Sequence, residues 1–507
     1  MNGQSKHLAR AAEDAFERRG DYESLLFEGR WHRSGELFER AAAVATGLAE
    51  LGIAPGERVA VTMANCPEVG VIYQAVWRAG LVATPAMFLL PADDLRHVLA
   101  DSGARAVVTT PDSLDKVRQA VTGIDPRPLV ICTDDAADGV ISLPELEAAP
   151  AGAIVPRADD DLAALLYTGG TTGQAKGVML SHEALHYVGS AAYTASHIDG
   201  IDRSLGTLPL SHAYGLLVTV AGFHSVARDV AVLLRWFDAE AFLSAVQDHR
   251  LQQTAVVPSM LQALLAQPLE QYELSTLEQV TSGASPLAPE TEREFVRRVP
   301  SASIRQGYGL TESAALVSSS PAGRTRSGSV GLPVPGCEVE IRDGDGRALS
   351  PGEAGEICVR SPGLMLGYWN APETTARAVR EGLLHTGDIG RLDEDGYLYI
   401  VDRIKDLIIR GGFNVYPRDV EDALVEHPDV AMAGVIGEPS ASHGEEVVAF
   451  VCLRAGATVT PEQLIDWSRT RIGGYKYPRR IELVDTIPLT PVGKVDRKAL
   501  RALLTPS

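Results

Sequence analysis

A chain of 507 residues is too long for one small core, so two or more domains are expected. Its 45% hydrophobic and 22% charged content is ordinary for a soluble globular enzyme. A formal charge of -20 argues against a nucleic-acid partner and against electrostatic docking on anionic lipid. Five cysteines (Cys66, Cys132, Cys337, Cys358, Cys452) lie far apart with no CxxC pair, which reads as buried thiols in a reducing compartment. The charged N-terminus MNGQSKHLARAAEDAFERRG lacks the apolar core of a secretory signal, and no apolar run is long enough to span a bilayer. A cytoplasmic protein without integral membrane association is expected.

Along the first three hundred residues, short β-rich runs alternate with helical patterns. RVAVTM (58–63) precedes the helical PEVGVIYQAVWRAG, and ARAVVTT (104–110) and PLVICT (128–133) follow. A second series runs DVAVLLRWF, helical DAEAFLSAVQDHR, TAVVPS and LEQVTSGASP. This alternation predicts βαβ units, with largely parallel sheets covered by helices and ligands gathered beyond the carboxyl ends of the strands. From about Ser329 the texture changes: CEVEIRDGDGRALSPGEAGEICVRS predicts a hairpin with Asp-Gly turns, and DGYLYIVD a further strand. The last hundred residues return to mixed α and β, with helical YPRDVEDALVEHP and strand-like EVVAFVCLRA; the charged VDRIKD (401–406) marks the expected boundary.

The most informative stretch is YTGGTTGQAKGV, Tyr167 to Val178. Thr168, Gly169, Gly170, Thr171, Thr172 and Gly173 follow an apolar run, with Lys176 just beyond. Glycines allow sharp turns whose N–H groups converge on an anion, threonines add hydroxyls and potential magnesium ligands, and lysine adds a mobile charge. The competing reading is a plain Gly/Thr turn between a strand and a helix. Neither G-x-x-x-x-G-K-[ST] nor G-x-G-x-x-G fits, so this is a third type of phosphate loop. Downstream, SGAS (282–285) and QGYGLTE (306–312) end β-rich runs. Tyr308, flanked by glycines, suits a nucleobase, and Thr311 and Glu312 offer a hydroxyl and a hard carboxylate suited to magnesium. Asp388 in HTGD could accept ribose hydroxyls; Arg403, Lys405, Gly411 and Gly412 follow, and Lys476, Arg479 and Arg480 form a basic patch for a phosphorylated ligand. Lys494 stands on a turn bounded by Pro491 and Gly493.

The ordered set of these stretches, together with LPLSHAYG (208–215), GEICVRSPGLMLGYW, YIVDRIKDLIIRGGFNVYP (399–417) and PLTPVGKVDRKAL, resembles the AMP-forming acyl-CoA synthetases of the ANL superfamily. The resemblance covers nearly the whole chain. It implies an α/β plus α+β architecture: a large N-terminal domain, 1–403, of two βαβ-type sheets with a small β-barrel, and a small mobile C-terminal α+β domain, 404–507. It implies that Thr168 to Lys176 holds ATP phosphates, and that Gly283, Ala284, Ser285, Gln306, Gly307 and Tyr308 frame the adenine. Thr311 and Glu312 would serve the α-phosphate and magnesium, with Thr171 as a second metal ligand, and Asp388 and Arg403 the ribose. Lys494 would be the catalytic cation, and His212 a gate beside the reacting carboxylate. Lys405 would be the hinge, and Gly411 and Gly412 the border of a pantetheine channel.

The implied reaction couples a carboxylic acid to coenzyme A through an acyl-adenylate, with ATP and Mg2+. Departures inside the motifs (Gly169 for the commoner Ser, Ala175 for Pro, Phe413 for Glu) keep other readings open. These are an enzyme running mainly the thioester half-reaction, one loading a carrier-protein phosphopantetheine, a light-emitting relative, and a nucleotide-binding regulator without catalysis. The acyl-pocket segments VPSM (257–260), SGASPL and GLTESAAL carry no arginine for a second carboxylate, so a lipophilic monocarboxylate is expected. A homodimer is the default expectation for assembly.

Overall fold

The computed structural model describes residues 5–134, 139–168, 175–440, 442–490 and 493–504. Two large sheets form the frame. One has eight strands, ordered Gly367–Tyr368, Lys176–Ser181, Leu162–Thr168, Val82–Pro85, Arg58–Thr62, Ala106–Thr109, Leu129–Cys132 and Ile141–Ser142. The other has nine, ordered Leu332–Pro333, Ser318–Ser319, Ser303–Tyr308, Gln279–Ser282, Gln253–Val256, Arg203–Gly206, Val230–Leu233, Glu23–Phe27 and Arg30–Arg33. The central strands of both are parallel, as the β/α alternation predicts, and those of the eight-stranded sheet read as near-continuous apolar runs because both faces are covered. Ala106–Thr109, for instance, is buried at every position.

Helix boundaries follow local chemistry. The helix Pro67–Arg78 starts on a proline at its first turn, where a missing N–H costs nothing, and buries Tyr73 and Trp77 completely. The indole Nε1 of Trp77 donates to the Ala163 carbonyl at 3.0 Å, which fixes this helix to the strand leading into the phosphate loop. The helix Ala213–Ala221 begins at His212, whose ring nitrogen accepts from the Tyr214 N–H at 3.3 Å as an N-cap.

The Asp-Gly hairpin is present: Glu338–Arg342 pairs antiparallel with Gly355–Arg360. The expected small barrel is a half-barrel, a five-stranded antiparallel sheet in which Leu383–Leu392 lies between Gly355–Arg360 and Leu398–Arg403. Beyond residue 404, a separate five-stranded sheet (Phe413–Val415, Ile408–Arg410, Gly444–Leu453, Val430–Ser440 and Arg480–Leu483) is covered by Pro417–Val425 and Pro461–Arg469. Its apolar side chains, Val420, Leu424, Val435, Val447, Val451 and Leu464 among them, pack with one another in their own cluster. Among the described residues, no helix is long and apolar enough to cross a membrane.

Candidate active site

A cavity of about 2170 Å³ opens where the carboxyl ends of the parallel strands meet the half-barrel and the C-terminal sheet. Thr168, Lys176, His212, Gly283, Ala284, Ser285, Gln306, Gly307, Tyr308, Thr311, Glu312, Asp388, Arg403, Lys405 and Lys494 all line it. Residues drawn from stretches more than three hundred positions apart in sequence thus share one enclosure.

The wall built from SGAS and QGYG is tightly shaped. A Cβ on Gly283 would stand 3.2 Å from the Tyr214 ring, and one on Gly309 would meet the Ala315 carbonyl oxygen at 2.2 Å. Only glycine fits at 309, while a side chain at 283 would press on the Tyr214 ring. Ala284 holds a left-handed φ of 68°, a conformation unusual for a residue with a Cβ. Gln306 is buried and donates through Nε2 to Glu292 at 3.1 Å.

Asp388 is 4% exposed and engaged on both oxygens: the Tyr308 hydroxyl donates to one at 2.7 Å, and Arg403 Nε lies 3.0 Å from the other. Burial and the facing carboxylate push the Tyr308 phenol well above its usual range, so it acts as a donor. The HTGD turn is held from behind, since Glu356 accepts the Gly387 N–H at 3.1 Å and Thr386 donates to the Ile357 carbonyl at 2.8 Å.

Glu312 stands in the short 3-10 turn Thr311–Ser313 that follows Ser303–Tyr308. The Tyr368 hydroxyl donates to it at 2.7 Å, and the Lys176 ammonium lies 5.8 Å from the Tyr368 ring centroid. The phosphate-loop residues Gly169, Gly170, Thr171, Thr172 and Gly173 lie outside the described residues. What flanks them departs from the strand–turn–helix alternative: Leu162–Thr168 pairs antiparallel with Lys176–Ser181, Thr168 opposite Lys176. The base of this hairpin is pinned, with the Tyr167 hydroxyl donating to Asp101 at 2.6 Å and His97 Nε2 2.9 Å from the Ala175 carbonyl.

Lys494 reaches the cavity from a tight turn in which Thr490 N–H donates to the Lys494 carbonyl at 2.7 Å and Gly493 N–H to the Thr490 carbonyl at 2.8 Å. Gly493 has a φ of 75°, a geometry that favours glycine. Burial, reinforced by Arg403 and opposed by Asp388, lowers the Lys494 ammonium to about 8. His212 is lowered to about 4 by burial and by Lys494, so its ring is neutral near pH 7.

Three expected positions stay apart from this constellation. Gly411 and Gly412, with φ of 58° and 82°, form the turn between Ile408–Arg410 and Phe413–Val415 and do not line the cavity. Lys476 is also outside it, paired with Asp419 at 2.6 Å. Conversely, the structure adds residues that the motifs did not single out. Tyr368 orients Glu312. Arg418 bridges the two lobes, its N–H donating to Asp402 at 3.0 Å and its Nη1 to the Ile400 carbonyl at 2.7 Å. The segments 257–260, 282–287 and 309–316 carry no arginine, but Arg305, outside them, also lines the cavity. It precedes the QGYGLTE motif by one residue and carries no motif of its own.

The family model for the AMP-binding enzyme matches residues 12–369, and that for the AMP-binding enzyme C-terminal domain matches residues 419–494. A feruloyl-CoA synthase of Amycolatopsis sp is 36% identical over 472 residues, covering 92% of each chain. Two solved structures share the fold at 31% identity and a TM-score of 0.89. They are the amide bond synthetase McbA from Marinactinospora thermotolerans, covering 98% of this chain and 100% of that one, and ATP-bound MatB from Rhodopseudomonas palustris, covering 99% of each. The motifs, the cavity that unites them and these likenesses lead to one conclusion: the chain belongs to the AMP-binding enzyme family of the adenylate-forming ANL superfamily, as an AMP-forming acid–thiol ligase.

Proposed function

We propose that this enzyme activates a carboxylic acid with a lipophilic body as its acyl-adenylate, using ATP, and transfers the acyl group to coenzyme A. The observation that carries this reading is the meeting of Lys494, Asp388, Glu312 and His212 on one cavity, with the lysine ammonium under the influence of Arg403, Asp388 and Glu312. Feruloyl-CoA synthase activity in a relative and bound ATP in another support the substrate classes.

In the first half-reaction the acid's carboxylate attacks the α-phosphorus of ATP and pyrophosphate leaves. Two anions must approach, so the barrier is chiefly electrostatic and positional. Lys494 bridges the α-phosphate and the attacking carboxylate, Asp388 and Arg403 fix the ribose, and the 283–285 and 306–308 segments enclose the base. Gly169 to Thr172 and Lys176 hold the β- and γ-phosphates. The neutral His212 ring sits beside the carboxylate without competing as a cation. The oxygen donors at Glu312, already oriented by Tyr368, and at Thr171 suit Mg2+, which when bound neutralises phosphate charge. The cavity is also lined by Ala213, Leu217 and Leu316, apolar side chains suited to the acyl body.

In the second half-reaction the thiol displaces AMP from the acyl carbonyl, so Lys494 must give way. Residues 404–507 turn as a unit about Lys405, which stands in the short turn Ile404–Asp406 between the two lobes. The turn brings Gly411 and Gly412 to the cavity as a passage for the pantetheine arm and leaves Lys476 to meet the nucleotide end of coenzyme A. The test is pyrophosphate release across a panel of acids with ATP, followed by thioester formation with coenzyme A and with a phosphopantetheinyl carrier protein. Acid-dependent pyrophosphate release and a thioester with coenzyme A are expected; no release with any acid would defeat the reading.

A further inference from the structure

Arg305 is 2% exposed, yet no carboxylate among the described residues lies within ion-pair reach of it. Its Nε donates to the Ser320 carbonyl at 2.8 Å, its Nη2 to the Ser320 and Ala195 carbonyls, and its Nη1 to the amide oxygen of Gln279 at 3.2 Å. All of these partners are neutral. Other well-buried arginines of the chain are paired differently: Arg40 lies 2.8 Å from both Glu68 and Glu147, and Arg497 lies 2.7 Å from Glu421. A guanidinium keeps its charge in a protein, and a buried charge without a counter-charge is costly unless something supplies one.

The place of Arg305 suggests what supplies it. Side chains alternate along a strand, so Arg305 and Gly307 share one face of Ser303–Tyr308, about 7 Å apart. Gly307 leaves that face open, since a Cβ there would meet nothing closer than the Ser318 carbonyl oxygen at 3.4 Å. Arg305 and Gln279 line the same cavity as His212 and Lys494, together with Ser204, Gln253 and Tyr193. The Tyr193 hydroxyl is buried without a hydrogen-bond partner. Gln279 is itself 2% exposed and is held by its own Nε2, which donates to the Ser196 carbonyl at 3.1 Å. It presents an amide where a glutamate of the same shape would have closed an internal ion pair.

We infer that the acyl pocket ends in an oxygen-accepting subsite centred on Arg305, so that the substrate acid carries, at the end remote from its reacting carboxylate, a second carboxylate or a hydroxyl oxygen. This rests on the acid-activating role proposed above and replaces the plain monocarboxylate expected from the sequence. The lipophilic body spans the Ala213–Leu217 wall, and the far oxygen takes the remaining Nη1 donor of Arg305, within a setting that also offers the Tyr193 hydroxyl.

The test uses the full enzyme and matched acids, ω-methyl, ω-hydroxyl and ω-carboxyl at each of several chain lengths, with para-methyl, para-hydroxyl and para-carboxyl aryl acids alongside. Pyrophosphate release and acyl-CoA formation are both read. At the best length, kcat/KM for an oxygen-ended acid should exceed that of its methyl-ended partner at least tenfold. Arg305→Met should bring that ratio to about one. Because Arg305 also secures two backbone carbonyls, Gln279→Glu, which gives up the Nε2 bond to Ser196 but leaves the Arg305 bonds in place, provides a second arm. By supplying the counter-charge internally, it should erase a carboxyl-over-methyl preference while sparing a hydroxyl-over-methyl one, which separates the two oxygen sources. Turnover in which methyl-ended acids are preferred at every length, or a carboxyl preference unchanged in Gln279→Glu, would overturn the subsite alone. No turnover of any acid would overturn the acid-activating role and the subsite with it.

Discussion

Lys494 combines two properties that oppose each other. In the proposed reaction its ammonium serves the adenylation step, but the surroundings that aim it also disfavour its charge, lowering it from 10.5 to about 8. Lys494→Ala is expected to cut pyrophosphate-releasing turnover by about 10²–10³, the cost of losing one key electrostatic donor. Thioester formation from supplied acyl-adenylate should survive. The cation predominates only below about pH 8, so kcat/KM for adenylation should fall as pH rises through that value, and Lys494→Arg should move this limb beyond pH 10. The stability sign runs the other way. A lysine with a depressed folded-state value destabilises the fold while it is charged in both states and ceases to do so above 10.5. Lys494→Met should therefore raise Tm at pH 7, with the gap closing between about pH 8 and 10.5. A melting series across that range checks it, and a variant that lowers Tm at pH 7 would contradict the burial argument.

At the scale of elements, the junction near Lys405 separates contacts that belong to one lobe from contacts that cross. Arg497 pairs with Glu421 at 2.7 Å and approaches Asp406 at 3.8 Å, all beyond residue 405, and under the proposed rotation these travel together. Arg418 instead reaches back to Asp402 and to the Ile400 carbonyl, bonds that a turn about Lys405 must break. Arg418→Ala should weaken the lysine-in arrangement and lower adenylation about tenfold, matching about 1.5 kcal/mol for a hydrogen bond involving a charged group. The thioester step should be unharmed. Gly412→Phe should do the reverse, and single-turnover assays of each half-reaction distinguish the two. If both variants depress both steps equally while folded, the division of labour fails.

The two variants also show what sequence reading could reach. Paired glycines at 411 and 412 suit the left-handed backbone that the φ values display, whereas their place beside a thiol passage rests on the proposed rotation. The parallel sheets were legible from apolar runs such as 106–109, and the half-barrel hairpin from its Asp-Gly turns. Arg418 was not legible, since an arginine on a helical pattern reads as solvated surface; only the fold places the Ile400 carbonyl beside it. Arg305 and Tyr368 were hidden for the same reason. Their roles depend on partners distant in sequence, Ala195 for the one and Glu312 for the other.

For the whole molecule, the central matter is whether one chain must adopt two arrangements to finish one reaction. The structure offers a direct way to hold it in the first. A Cβ added at Gly493 would stand 3.8 Å from the Cβ of Ser259, which is the usual Cβ separation across a disulfide. Gly493 belongs to the lysine turn and Ser259 to the helix Pro258–Leu265 of the large lobe, so a bond between them ties residues 404–507 in the lysine-in position. Of the native cysteines, Cys66, Cys132, Cys337 and Cys358 are buried, and the half-buried Cys452 is replaced by serine in the test protein. The left-handed φ of 75° at residue 493 imposes strain on a cysteine there, so the comparison is made between the oxidised and reduced forms of the same Ser259→Cys, Gly493→Cys protein. Oxidised enzyme should still form and retain acyl-adenylate, releasing one pyrophosphate per active site, but yield almost no acyl-CoA. Dithiothreitol should restore the thioester step without changing the adenylation burst. Multiple turnover to acyl-CoA by the oxidised form, with the cross-link verified by mass, would mean that both chemical steps proceed with Lys494 in place and that no rotation of residues 404–507 is needed.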